Sequence, residues 1–185
     1  MDAQRQPGGA DADARTRAQR IRVLALDVDG TMTDGTLYIG PGGEAMKGFS
    51  VRDGFGLALL REAGIRLAIV TARQSEIVLQ RAAELRFDAV LQRVHDKAQA
   101  LAELAARFEC TADAVAYMGD DWPDLPALRA AGLAAAPADA AAPVIAQAHW
   151  VSSRPAGHGA VREFAEWLLA SRGELDALIE RHRGA

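Results

Sequence analysis

Six short apolar runs, at 21–27, 66–71, 89–91, 114–118, 132–136 and 149–151, alternate with alanine-rich segments whose apolar residues recur at helical spacing. That alternation predicts a parallel sheet covered on both faces, because each crossover helix must pack back onto the sheet it connects. The helical segments fall near 54–63, 75–86, 97–108, 123–131, 140–147 and 159–170, with a last one near 173–182. Ile77, Leu79, Ala82, Ala83 and Leu85 mark one such buried face. The expected fold class is α/β, a Rossmann-like three-layer α/β/α sandwich. A length of 185 residues suits one domain, placed at 20–172, with a C-terminal helix or tail at 173–185.

Residues 1–19 read as a disordered polar tail. They hold no hydrophobic core of the kind a secretory signal needs, and Asp2, Asp11 and Asp13 argue against a transit peptide. No apolar run approaches the roughly 20 residues that span a bilayer, so no membrane partner is expected. The formal net charge is −4 with no basic stripe, which argues against a nucleic-acid partner. An anionic substrate would therefore be held by local positive groups. Cys110 is the single cysteine, which excludes an internal disulfide framework and fits a cytoplasmic location.

One stretch breaks the alternation. Thr36–Ile39, a Gly40-Pro41-Gly42-Gly43 turn and Glu44–Phe49 predict a β-hairpin projecting from the sheet's carboxyl edge. A lone hairpin is marginal in water. Leu37, Ile39, Met46 and Phe49 are expected to bury themselves, either against a neighbouring subunit or by folding down onto their own domain.

The chemistry gathers at strand ends. Asp27 and Asp29 close the first run in Leu24-Ala25-Leu26-Asp27-Val28-Asp29-Gly30-Thr31. Two carboxyl groups this close repel unless one is protonated or a cation neutralises them, and Mg²⁺ is the hard, oxygen-seeking ion suited to that role. Thr71 ends the second run, Lys97 opens a helix, and Asp120 and Asp121 follow a later strand, with Asp124 one turn on. A parallel sheet brings these groups to one rim. Carboxylate, hydroxyl, ammonium and metal-binding carboxylates are the equipment of phosphoryl transfer.

The motifs Asp27-Val28-Asp29-Gly30-Thr31, Thr71, Lys97 and Gly119-Asp120-Asp121-x-x-Asp124 resemble the four signatures of the haloacid-dehalogenase-like phosphohydrolases. The hairpin, the run Phe49–Gly54 and the run Gly157–Glu163 are similar to the members of that family that lack a cap domain and act on phosphorylated 2-keto-3-deoxy sugar acids. The resemblance implies a Mg²⁺-dependent phosphatase working through an aspartyl-phosphate, with octulosonate 8-phosphate as favoured substrate and nonulosonate 9-phosphate, or a broader set of sugar phosphates, as the alternative. It assigns catalysis to Asp27, Asp29, Thr71 and Lys97, and the metal to Asp27, Asp29 and Asp120. Substrate binding falls to Asp29, Ser50, Val51, Arg52, Asp53, Gly54, Arg73, Arg81, Lys97 and Asp124. It also implies a homotetramer in which each hairpin lids a neighbour's site.

Two departures stand out: Ala72 occupies a position usually held by glycine, and Leu57-Ala58 stand where an arginine is common. A non-catalytic role, as an oligomerisation or regulatory domain beside a sugar nucleotidyltransferase, is the rival from another class. The intact acids and lysine argue against it. His95, His149 and His158 lack the paired spacing of zinc ligands, and Trp122, Trp150 and Trp167 read as core or interface packing. The glycine-rich segment at 156–160 and the polar end at 174–185 are expected to contribute a mobile closing element for the site.

Overall fold

The computed structural model describes residues 12–184. A six-stranded parallel sheet forms the middle layer. Its strands are β1 (Val23–Leu26), β4 (Arg66–Val70), β5 (Ala89–Leu91), β6 (Val115–Met118), β7 (Leu133–Ala136) and β8 (Trp150–Val151), in the order β5-β4-β1-β6-β7-β8. The remaining strands, β2 (Tyr38–Gly40) and β3 (Gly43–Met46), pair antiparallel as a separate hairpin. β1 lies at the centre, with Leu26 level with Ile69 of β4 and Met118 of β6. Whatever follows these three strands therefore emerges side by side.

All four residues of β1 are buried because its two faces feed two cores. Leu24 and Leu26 join one that also holds Leu67, Ile69, Phe164 and Leu168. Val23 and Ala25 join the other, with Val70, Tyr117, Leu101, Leu104 and Leu128. The first core is roofed by α1 (Ala12–Ala18), α2 (Val51–Glu62), α3 (Glu76–Glu84), α7 (Ala160–Ser171) and α8 (Leu175–Arg183). The second lies under α4 (Lys97–Arg107), α5 (Leu125–Ala130) and α6 (Ala142–Gln147). This is the three-layer sandwich expected from the alternation, and among the described residues no cap domain interrupts it.

Several boundaries differ from the sequence reading. The expected disordered tail is helical over its described part: Ala14 and Ala18 of α1 are fully buried, and the Arg17 guanidinium donates to the Gly132 carbonyl at 3.0 Å. Small side chains let this short helix lie close against α7, a contact that composition does not reveal. Residues 1–11 of that expected tail, and residue 185, lie outside the described residues. Helix α2 begins at Val51, three residues earlier than read, because Ser50 caps it by accepting the Asp53 N–H at 3.2 Å.

The C-terminal segment is no loose closing element. Leu178 of α8 is buried, and Arg181 and His182 both contact Glu62 of α2. Among the described residues, none of α8 lines the cavity beside Asp27. Trp150 meets Phe164 edge-on and Trp167 stacks on the same ring at the core, as expected, whereas Trp122 stands on the surface. His149 holds the sheet together, its Nδ1 accepting the Ala134 N–H at 2.9 Å.

Candidate active site

Three adjacent strand ends build the site. β1 delivers Asp27, whose N–H still donates to the Met118 carbonyl at 3.0 Å. The chain then turns tightly, with the N–H groups of Thr31, Met32 and Thr33 all donating to the Val28 carbonyl. That turn needs Gly30 at φ +91°, a backbone region strained for other residues. It also needs the missing side chain: a Cβ on Gly30 would stand 2.1 Å from an Asp120 carboxylate oxygen. Past β4, Thr71 donates its N–H to the Leu91 carbonyl and lines the same cavity.

Lys97 arrives from the opposite side as the first residue of α4, which Asp96 caps by accepting the Gln99 N–H at 2.9 Å. Its ammonium is buried and bridges two carboxylates, Asp27 at 2.7 Å and Asp124 at 2.6 Å. After β6, Gly119 leaves room for Asp124, whose carboxylate is fully engaged inside the protein. One oxygen accepts Lys97 and the Tyr117 hydroxyl at 2.6 Å; the other accepts the N–H groups of Asp120 and Asp121 at 3.0 and 3.1 Å. Asp120 in turn accepts the Thr31 hydroxyl at 2.9 Å.

Asp27, Asp120 and Asp124 each bring a carboxylate oxygen within 4.8 Å of the other two. Three acids around one ammonium leave the cluster two charges short of neutrality, and the titration behaviour follows. Burial, then the Asp124 charge, push Asp27 up to about 6 despite its bond to Lys97. Burial, then the Asp27 charge, push Asp120 up to about 7. Burial pulls Lys97 down, but Asp27 and Asp124 outweigh it and its pKa is raised. Tyr117 stays a neutral donor, with burial holding its pKa well above the usual value.

This donor set fits a hard divalent cation. It offers only oxygens, it carries the two negative charges that such an ion would cancel, and Gly30 keeps the approach to Asp120 clear. Asp27 and Asp120 are the side chains suited to bind the ion directly, because both oxygens of Asp124 are already taken.

A cavity of about 160 Å³ is lined by Asp27, Asp29, Thr71, Arg73, Lys97, Asp120 and Asp124, so seven of the expected site residues converge. Six others do not line it. Ser50 caps α2. Asp53, buried, accepts the N–H groups of Gly159 and Arg162 and so tethers the start of α7. Arg81 donates to the Ser50 carbonyl and lies against the space a Gly54 side chain would fill. Val51 and Arg52 point to solvent. Within one chain these six lie outside the cavity: Ser50 and Asp53 serve helix ends, Gly54 lies against Arg81, and Val51 and Arg52 face solvent. Asp124 lines the cavity, with both of its carboxylate oxygens accepting internal donors.

The sequence reading missed four contributors. Tyr117 was visible only as one polar tip in an apolar strand, and Thr31 only as part of the acidic motif. Lys47 and Glu44, on the hairpin, had no local signal. Lys47 contacts the Asp29 carboxylate and lies 2.8 Å from Glu44, while Glu44 accepts the Ser75 hydroxyl.

Residues 89–164 match the model of the family described as haloacid dehalogenase-like hydrolase. The 3-deoxy-D-manno-octulosonate 8-phosphate phosphatase of Escherichia coli strain K12 is 39% identical over 169 residues, covering 91% of this chain and 90% of that protein. The chain belongs to the haloacid dehalogenase-like hydrolases. Solved structures agree with this hydrolase assignment. The corresponding phosphatase of Yersinia pestis superposes with a TM-score of 0.86 at 40% identity, covering 89% of each chain. The Moraxella catarrhalis enzyme, solved with a magnesium ion, a phosphate ion and a KDO molecule, gives 0.89 at 36% identity, covering 92% of this chain and 98% of that one.

Proposed function

We infer that this hydrolase is a Mg²⁺-dependent phosphoric monoester hydrolase that converts 3-deoxy-D-manno-octulosonate 8-phosphate to 3-deoxy-D-manno-octulosonate and phosphate. The observation that carries the reading is the meeting of Asp27, Asp120 and Lys97 at one rim, in a hydrolase whose relatives bear that activity in their names. Asp27, Asp120 and the Asp29 backbone carbonyl would hold the cation, whose charge would offset that of the transferring phosphoryl group.

The chain's own residues do the rest. A carboxylate oxygen of Asp27 attacks phosphorus, forming an aspartyl-phosphate as the bond to the sugar oxygen breaks. Asp29 gives its proton to that leaving oxygen, then takes one from the water that hydrolyses the intermediate and restores Asp27. Lys97, held between Asp27 and Asp124, keeps the nucleophile aligned and offsets charge on the phosphoryl oxygens. The Thr71 hydroxyl donates to one of those oxygens. Arg73, half-exposed and 3.6 Å from Asp29, stands at the mouth where its planar fork suits a sugar-acid carboxylate.

We assign the protein to the cytoplasm and to a homotetramer. Among the described residues, no helix is long and apolar enough to cross a membrane. The hairpin supports assembly because it faces the wrong way for a monomer: Glu44 and Lys47 turn inward, while Ile39 and Met46 are 64% and 57% exposed. A second copy covering that apolar side also brings a neighbour's Val51 and Arg52 into play.

Phosphate release from octulosonate 8-phosphate and nonulosonate 9-phosphate, with and without Mg²⁺, tests the reading. The octulosonate is expected to be the faster substrate, with activity dependent on the metal. Asp27→Asn is expected to lower kcat by at least about 1,000-fold. Unchanged turnover in that variant would remove the nucleophile, and equal rates on both sugars would remove the specificity.

A further inference from the structure

The hairpin carries a chain of charged contacts that ends on the catalytic acid. The Lys47 ammonium contacts one oxygen of Asp29, and its side chain is only 1% exposed although it grows from an otherwise solvent-facing arm. Arg73 lies on the other oxygen, at 3.6 Å. Lys47 is held in turn by Glu44 at 2.8 Å. The second oxygen of Glu44 accepts the Ser75 hydroxyl, which also caps α3 by accepting the Val78 N–H at 3.3 Å. Gln92 fixes Ser75 from the far side, accepting its N–H and donating to its carbonyl at 3.1 and 2.9 Å.

A lysine carries several freely rotating bonds, and immobilising one costs conformational entropy. Here both the loss of freedom and the desolvation are offset by two carboxylates, and one of them belongs to the reaction. Asp29 has few other anchors. Asp27 is held by Lys97 and Asp124 by four internal donors, whereas among the described residues the Asp29 side chain is met by Lys47 and Arg73 alone. Of these two, Arg73 is half-exposed and more distant. The orientation of Asp29 thus depends on Lys47, and the orientation of Lys47 depends on Glu44 and Ser75.

We propose that Lys47 is a positioning residue for the phosphatase reaction, aiming the Asp29 carboxyl at the leaving-group oxygen, and that the Glu44–Ser75 contact sets its place. The proposal rests on the reading of Asp29 as general acid. In that step the proton of Asp29 moves to the bridging oxygen as the P–O bond breaks, and the new carboxylate forms beside the Lys47 ammonium, which stabilises it. A leaving group that departs readily as an anion needs no such help.

That difference supplies a readout a purely structural lysine would not move. Phenyl phosphate and 4-nitrophenyl phosphate have nearly the same shape and no sugar-acid carboxylate, but phenolate is the poorer leaving group. Lys47→Met keeps the aliphatic stem. Its loss of kcat/KM, which reports the first chemical step, is expected to be about 10-fold or more greater on phenyl phosphate than on 4-nitrophenyl phosphate. Lys47→Arg should recover part of the difference, and Glu44→Gln, which keeps the lysine but loosens its anchor, should show a smaller loss in the same direction. Equal losses on the two esters, or none, would overturn the assignment of Lys47.

Asp29→Asn run alongside separates the two readings. If that variant discriminates between the esters and Lys47→Met does not, only the Lys47 proposal falls. If Asp29→Asn does not discriminate, the general-acid reading falls and the Lys47 proposal with it.

Discussion

Gly30 and Asp120 lie against each other with no room for another atom: a methyl group on Gly30 would enter within 2.1 Å of the Asp120 carboxylate. The residues are far apart in sequence, yet one sets the position of the other, and Thr31 pins the same carboxylate at 2.9 Å. Gly30→Ala is therefore expected to displace Asp120 as well as to strain a backbone held at φ +91°. The strain alone costs about 1–2 kcal/mol. A thermal melt should report that loss, and the Mg²⁺ concentration for half-maximal activity should rise. An unchanged metal requirement would show that the contact does not govern the metal site.

The pH dependence of the metal-free protein follows from the crowding of acids. Asp27 and Asp120 are pushed up to about 6 and about 7, above their ordinary value of 3.8. A carboxyl raised in the fold adds stability while the pH is below its unfolded value and withdraws it as pH climbs through the folded one. Without metal, the melting temperature should thus fall between about pH 4 and pH 7. Mg²⁺ must displace those protons, so it should raise the melting temperature more at pH 8 than at pH 5. A metal-induced shift of equal size at both values would contradict the raised carboxyls.

Tyr117→Phe removes one hydroxyl from a fully buried residue and leaves the packing intact. The lost bond runs to a charged acceptor, Asp124, at 2.6 Å. Stability should drop by about 1–3 kcal/mol. Asp124 is then braced by Lys97 and two backbone N–H groups, so kcat should decrease while KM stays near the parent value. Denaturant melts and steady-state rates measure both effects, and unaltered stability would mean that Tyr117 does not support the cluster.

The outward apolar face of the hairpin predicts its own disruption. Placing lysine at Ile39 and Met46 leaves the inward contacts of Glu44 and Lys47 untouched. Light scattering after size-exclusion chromatography should show a smaller species than the parent protein, with melts of the separate chains close to those of the parent at equal concentration. A parent that already runs as a monomer would end the tetramer proposal.

The chain's own order of residues was enough to reveal the sheet, because buried parallel strands must be apolar on both faces and the helices between them must be amphipathic. Leu24 to Leu26 show this directly, feeding two cores from four consecutive buried positions with Val23. The reactive rim was legible for the same reason, since Asp27, Thr71, Lys97 and Asp120 each sit where an apolar run stops or a helix begins. What lay beyond reach were contacts made across the fold. Residues 12–18 looked like a loose tail and form a packed helix; Asp53 accepts two N–H groups at the start of α7; Lys47 carried no local signal and lies on Asp29. Local patterning decides which way a side chain faces along its own strand or helix. Only the packing of distant segments decides which partner it meets there, and for a polar atom that partner determines whether it is available for chemistry or committed to holding the protein together.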